Sequence, residues 1–374
     1  MSVLAAETRV TAPSTAQAQR FRLVTGTLLI LGTLASWLGL AWDFQWHSEV
    51  GPDTFFTLPH LVLYSGVALS GLTCLAVVLA TTYRVRRGSA LFPKGSLTSL
   101  FGGLFHAPVG FVLGGTGSAI FLLYGLYDEW WHGLYGFDVT VYSPPHVGLL
   151  FGVLFNMIGT LSVFAAGVKG QEKPGLRASS AGLSAAVAVV LAFATAFVLV
   201  AASMPLGSVD GFALGTALFY PLGLLLALSV TRAPGTATLT AAIFTLLRLA
   251  AWLAAPWVTR LYAAATELPL RDYTDGSPAY AGWMPAYLLL GGLLIDLGFG
   301  LARRRGLSLR WVVPAAGAAA ALALELSYRF SLPFQFLDAA EQGGLENLLL
   351  AALVGASAGW LGWALGSLLR KSAQ

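Results

Sequence analysis

The chain has 374 residues, of which 57% are hydrophobic and only 10% are charged. Soluble domains carry about 25% charged residues, so these charges are too few to cover a soluble globule, and lipid is expected to surround most of the surface. The net charge of +4 arises in basic loops. No nucleic-acid-binding or phosphate-binding motif accompanies it, so we predict no nucleic acid partner.

Ten stretches are apolar and long enough to cross a bilayer, which takes about 20 helical residues. In chain order they are approximately residues 22–41, 58–82, 101–127, 145–168, 179–203, 211–231, 236–256, 281–302, 311–329 and 345–369. Period-two alternation is absent, and helices satisfy their own backbone in lipid. We therefore predict an all-α polytopic integral membrane protein with about ten transmembrane helices.

Basic residues indicate the orientation, because Lys and Arg concentrate in cytoplasmic loops. Most of the 21 basic residues fall at the two termini and in alternate loops, whereas the other loops hold only Arg260, Arg271 and Arg329. This pattern predicts that both termini are cytoplasmic. The first apolar stretch lacks a small-residue cleavage site, so we expect a retained signal anchor in a bacterial-type inner membrane.

A polar segment at residues 169–178 divides the chain. The first four predicted spans and the loops between them contain all five histidines, and the last six spans contain none. We therefore predict a four-helix metal-binding module at residues 1–174 and a six-helix module of unknown role at residues 175–374.

The N-terminal module contains an internal repeat. Residues 42–47 (WDFQWH) match residues 127–132 (YDEWWH), and a Pro-His pair follows each, ending at His60 and His146. Each copy is predicted to be a span, an outer loop and a returning span. Sites often lie where such repeats meet.

Each copy carries the residue types of a metal site. An aspartate precedes a histidine by four residues, which places both on one helix face. A second histidine follows a proline at the start of the return helix, so the loop can bring it to the first two. The predicted ligands are Asp43, His47 and His60 in the first copy and Asp128, His132 and His146 in the second. Two imidazoles and a carboxylate suit zinc, iron or copper.

Neighbouring residues have two interpretations. Asp53 and Asp138 occupy matched positions in the outer loops, where they either orient a ligand imidazole or are solvated. Trp46 and Trp131 would shield the metal, although an ordinary interfacial aromatic belt is the simpler explanation for them. The other acidic residues near the motifs, Glu49 and Glu129, are expected to be solvated.

Three ionisable residues fall within C-terminal spans: Arg248, Asp296 and Glu325. Charges at membrane depth are costly and are usually paired or functional. A structural ion pair of Arg248 with Glu325 or Asp296 is the simpler interpretation, and a polar transport path is the other. The outer segment 257–280 is expected to cap the outer face.

The first motif segment, residues 42–64, resembles the metal-binding segment of one membrane subunit of the particulate methane and ammonia monooxygenases, the copper membrane monooxygenase family. The matching residues are Asp43, Trp46, His47, Asp53, Thr54, Phe56, Thr57 and His60. Residues 128–146 are similar to the second copper site of the same subunit, with Asp128 where the family usually has Asn. The resemblance covers roughly residues 22–170. It implies copper as the metal and oxygen-dependent hydroxylation as the chemistry.

We therefore hypothesise a membrane protein with copper in one or both Asp-His-His sites on the periplasmic or extracellular side, oxidising a small apolar substrate. Zinc and iron are the alternative metals. The alternatives are a metal-uptake or metal-handling protein and a non-catalytic subunit of a membrane complex. The expected partners are the lipid bilayer and either other subunits or further copies of the chain.

Overall fold

The computed structural model describes residues 14–372 except residue 52, the segments 137–142, 170–177, 280–286 and 330–343, and residues 203, 205 and 208. This part of the chain contains ten α-helices and one antiparallel hairpin. The helices are α1 (Thr15–Glu49), α2 (Leu58–Arg86), α3 (Val109–Tyr135), α4 (Pro144–Lys169), α5 (Ala178–Ala202), α6 (Gly211–Thr231), α7 (Thr236–Ala265), α8 (Tyr287–Arg304), α9 (Leu309–Arg329) and α10 (Leu345–Ser372), and the strands are β1 (Leu97–Leu100) and β2 (Phe105–Pro108).

Within the described ranges, nine of the ten helices are long and apolar enough to cross a membrane. The exception is α8, which carries Asp296, Arg303 and Arg304 within its 18 residues. Helix α1 is longer than the predicted first span, and its 35 residues extend about 52 Å against a bilayer core of about 30 Å. The prediction of a helical integral membrane protein is thus confirmed.

The third predicted span, residues 101–127, begins too early. Residues 97–108 form the β1–β2 hairpin, and α3 begins only after Pro108. Gly102 and Gly103 have φ values of 65° and 95° in the turn, a left-handed conformation that glycine adopts without steric cost and that ends a right-handed helix. The segment is apolar enough to resemble a span, but its glycines and proline favour a turn.

Two tight helical hairpins, α1–α2 and α3–α4, form the N-terminal part of the fold. Helices in lipid pack closely where small residues face each other. Gly66 of α2 lies against the backbone of Gly32 and Ser36 in α1, and Gly117 of α3 lies against the backbone of Gly152 in α4. A side chain at either glycine would overlap the neighbouring helix, so these contacts hold each pair of helices together.

One apolar core crosses the predicted boundary between residues 1–174 and 175–374. It includes Trp37 of α1 together with Leu183 of α5 and Tyr220 of α6, each with no exposed surface. The division into two modules stays a prediction, because the packing is continuous across it.

Candidate metal centres

Four ligand-type side chains meet where α1 ends and α2 begins. They are Asp43 and His47 on α1, Asp53 in the connecting loop and His60 on α2, and this group is termed centre 1. One ligand atom of each lies within 4.8 Å of all the others. His60 Nε2 is 3.2 Å from Asp43 Oδ1 and 3.1 Å from Asp53 Oδ2. His47 Nε2 is 3.6 Å from Asp43 Oδ2 and 3.4 Å from Asp53 Oδ2.

The local sequence explains why the loop returns to α1. Helix α1 continues through His47, so the first two ligands lie one turn apart on one face. In the loop, the N–H of Thr54 donates to Thr57 Oγ1 at 2.8 Å. Pro59 occupies the first turn of α2, where its fixed φ favours a helix start. His60 therefore enters α2 in its first turn, facing the end of α1.

A backbone carbonyl orients the imidazole of His60. Its Nδ1 lies 3.0 Å from the carbonyl oxygen of Thr54, and because a carbonyl only accepts, Nδ1 carries the hydrogen. In the neutral ring, Nε2 then directs its lone pair at the carboxylates of Asp43 and Asp53. That contact is repulsive unless a proton or a metal cation lies between the groups. Metal-binding histidines have this arrangement, with the second ring nitrogen donating to a carbonyl.

Asp53, predicted as an orienting neighbour, places Oδ2 among the ligand atoms themselves. Its side chain is 4% exposed. Burial raises the pKa of this carboxyl above its usual range, and the charges of His60 and His47 oppose that shift. Among the described residues, neither Asp53 Oδ2 nor Asp43 Oδ1 has a hydrogen bond of ordinary geometry. Buried carboxylate oxygens need a compensating charge, so this donor set fits a bound cation.

A second group, termed centre 2, lies where α3 ends and α4 begins. Its members are Asp128 and His132 on α3 and His146 on α4. Asp128 Oδ1 is 3.5 Å from His132 Nε2 and 3.4 Å from His146 Nε2. Nδ1 of His132 lies 3.1 Å from the carbonyl oxygen of Gly136, so in the neutral ring the lone pair of Nε2 likewise faces the carboxylate. Asp138, the predicted neighbour of this centre, lies outside the described residues.

The two centres are neighbours. The charge of His132 in centre 2 acts on Asp53 in centre 1. Between the hairpins, the ring of Tyr64 stacks on Phe55 at 4.7 Å and lies against Gly125 of α3. The sequence alone assigns no role to Tyr64 or Phe55. The sequence signal that could have identified Tyr64 is its position one helical turn after His60, which places both rings on one face of α2.

The predicted shielding tryptophans pack against other aromatic rings. Trp46 is 1% exposed, and its ring lies 5.0 Å from that of Tyr262 on α7. Trp131 lies 4.4 Å from Tyr135 on the next turn of α3. Trp46 therefore joins the end of α1 to α7, whereas this contact of Trp131 lies within α3.

Gln45 near the end of α1 forms two hydrogen bonds with the C-terminal half of the chain. Its Nε2 donates to the carbonyl oxygen of Ser277 at 2.9 Å, and its Oε1 accepts from the N–H of Ala279 at 2.6 Å. Residues 266–279 therefore contact α1 at a position between its two predicted ligands, Asp43 and His47. Part of the predicted outer cap, residues 257–280, is thus seen beside centre 1.

An ion pair with a buried carboxylate makes the second contact to the end of α1. Glu49, expected to be solvated, is 1% exposed and lies 3.0 Å from Arg260 of α7. Its carbonyl oxygen also accepts from the N–H of Arg271 at 2.8 Å. The prediction for Glu49 is wrong because its partners lie more than 200 residues away in the sequence. These contacts and those of Gln45 are together termed the clamp.

The charged residues of the C-terminal helices have different environments. Asp296 of α8 caps the start of α7, accepting from the N–H of Gly235 at 3.1 Å and from the N–H and hydroxyl of Thr238 at 2.8 and 2.7 Å. Arg248 and Glu325 are 4% and 3% exposed. The cap gives Asp296 a structural role, while the pairing of Arg248 with Glu325 stays a prediction.

Comparisons with models of protein families, with curated proteins and with solved structures found no match for this chain. Assignment of function therefore depends on the geometry above. That geometry describes a helical membrane protein with two Asp/His groups that could hold metal ions.

Proposed function

We propose that the chain is an integral membrane metalloprotein that binds copper at both centres and oxidises a small apolar substrate with dioxygen, like the copper monooxygenases that residues 22–170 resemble. The observation that carries the metal-binding part is the orientation of His60 and His132. Backbone carbonyls hold Nδ1 of both rings, and Nε2 of both faces carboxylate oxygens. A bound redox-active metal would supply activation of oxygen and acidity to its other ligands.

The protein's own residues would bind, orient and shield the ion. Imidazole and carboxylate donors together favour zinc, iron or copper over calcium, which prefers oxygen ligands alone. The choice of copper comes from the resemblance. The aromatic rings of Phe55 and Tyr64 pack beside centre 1 and would keep it partly dry.

Metal uptake is the alternative from another class, and it requires a polar path across the membrane. Asp296 is one of the three charged residues that such a path would use, and three donors at the start of α7 already occupy it. This observation favours binding and chemistry at the outer end over transport. A role as one subunit of a membrane complex, or as a homo-oligomer, is compatible with the same two centres.

We further propose ten spans with both termini in the cytoplasm and the centres on the periplasmic side of a bacterial-type inner membrane. The single native cysteine, Cys74, is buried, so cysteines introduced at exposed positions report the topology. With an impermeant thiol reagent on intact cells, Glu267→Cys should be labelled and Arg305→Cys should not. The reverse pattern would invert the topology.

The decisive experiment measures metal content by mass spectrometry on the detergent-purified chain. We expect about one copper ion per centre in the wild type and loss of both in the His47→Ala/His132→Ala variant. The matched control is His106→Ala. His106 lies in β2 and is the one histidine of the sequence outside the two centres. Zinc in place of copper would retain the sites and reject the oxygenase. Absence of metal after growth with both metals would reject the whole proposal.

A further inference from the structure

A small cleft of about 40 Å³ lies at the end of the bundle remote from the two centres. Its walls come from the start of α1, the β hairpin, α3, α4 and the end of α10. Among the lining residues, Phe111 and Val163 are apolar, Ser162 and Ser372 are hydroxylic, and Arg22 is the charged one. No carboxylate is among the lining residues of the described chain.

Arg22 is more than nine-tenths buried, with 9% of its surface exposed. Its guanidinium carbon lies 5.5 Å from the centre of the Phe92 ring. Stacking of this kind occupies the flat face of the guanidinium and leaves its N–H edge available. Within the part of the chain that the structure describes, this edge has no hydrogen bond and no ion pair.

The surroundings add positive charge. Lys169 at the end of α4 donates from Nζ to the carbonyl oxygen of Lys371 at 3.3 Å, next to the cleft residue Ser372. Burying a guanidinium without a counter-charge is costly. The cleft therefore has the charge and the free donors of an anion site.

We propose that this cleft binds a phosphate group, supplied by the headgroup of an anionic phospholipid or by free phosphate. The planar donor edge of arginine matches two oxygens of a phosphate. Basic groups at helix ends also attract anionic lipid headgroups. The apolar part of the wall, including Phe111 and Val163, would contact the beginning of an acyl chain. This site is independent of the function proposed for the metal centres.

The test compares lipid binding by the full-length chain in nanodiscs of phosphatidylcholine with and without phosphatidylglycerol. Native mass spectrometry counts bound phosphatidylglycerol, and thermal unfolding gives the accompanying shift in Tm. We expect Arg22→Gln to weaken phosphatidylglycerol binding about tenfold or more, since a charge-assisted hydrogen bond is lost. The matched control is Arg87→Gln, because Arg87 also stacks on an aromatic ring, that of Tyr83 at 5.3 Å, but is exposed.

Further measurements identify the source of the phosphate, and a second variant keeps the test valid if the first does not fold. Inorganic phosphate that raises Tm in detergent for the wild type, but not for Arg22→Gln, would assign free phosphate as the ligand. Arg22→Lys keeps the positive charge but loses the planar donor edge of the guanidinium, so this variant should bind phosphatidylglycerol with intermediate affinity. It provides the test if Arg22→Gln does not fold. Equal lipid binding by the Arg22 and Arg87 variants, together with an equal effect of inorganic phosphate on the Tm of the wild type and of Arg22→Gln, would overturn the proposal.

Discussion

Centre 1 and centre 2 share a plan, in which one helix supplies an aspartate and a histidine and the next helix supplies a second histidine. They differ in the number of ligand-type groups and in the contacts that hold the ligand-bearing helix in place. Centre 1 has four ligand-type groups and centre 2 has three among the described residues. The clamp from the C-terminal half holds the helix that carries the first ligands of centre 1.

Four protein donors suit a site that retains its metal, whereas three donors leave a coordination position for water or substrate. Among the described residues the two centres therefore differ by one carboxylate, and Asp138, the residue matched to Asp53, lies outside them. We expect centre 1 to bind its ion more tightly and centre 2 to be the one that meets exogenous molecules. Whether the two centres descend from an internal repeat stays a prediction.

The largest expected effect is loss of one centre at a time. His60→Ala should remove the metal of centre 1 and leave centre 2 loaded, and His146→Ala should do the opposite, because each supplies a ligand to its own group only. Metal content per chain measures both. If either variant emptied both centres, the sites would be one cluster and the comparison would fail.

Removing the carboxylate of Asp53 should leave centre 1 with three ligand-type groups. We expect Asp53→Ala to weaken metal binding at centre 1 by about 10–100-fold or more, the range found when even an outer partner of a ligand is lost. Competition with a chelator in a His146→Ala background reads centre 1 alone. Unchanged affinity would show that Asp53 is not a ligand.

The clamp should have a smaller effect, acting through the position of α1. Glu49→Gln and Arg260→Gln should each weaken centre 1 about tenfold and leave centre 2 unchanged. The double variant should be no worse than either single variant, because the two residues act as a pair. Glu129→Gln is the control, since that carboxylate is exposed beside centre 2. Equal effects on both centres would indicate general destabilisation.

The smallest expected effect concerns the C-terminal helices and touches neither centre. Asp296→Ala removes the cap of α7 and should lower the free energy of unfolding by about 1–2 kcal/mol. Thermal unfolding in detergent measures it, with the exposed Asp272→Ala as control. A transport function would instead require this variant to abolish metal uptake by cells without changing stability.

The chain's hydropathy and helical periodicity predicted the helices and the clustering of the ligand pairs well. The pair Asp43 and His47 depends on spacing within one helix, which the sequence shows directly. The position of Asp53 depends on the fold of a short loop, and spacing alone does not decide whether its carboxylate lies behind the imidazoles or among them. The hairpin at residues 97–108 was missed because an apolar run satisfies the helix pattern and the strand pattern equally.

The clamp has a consequence for the order of biosynthesis. Glu49 and Arg260 are 211 residues apart in the chain, and synthesis proceeds at about 5–20 residues per second. The end of α1 therefore waits about 10–40 s after its own synthesis before the clamp can close. The three groups of centre 2 lie between Asp128 and His146, so they are complete well before that moment. The clamp that supports centre 1 is thus completed later than the ligand group of centre 2, and only after α7 has been synthesised.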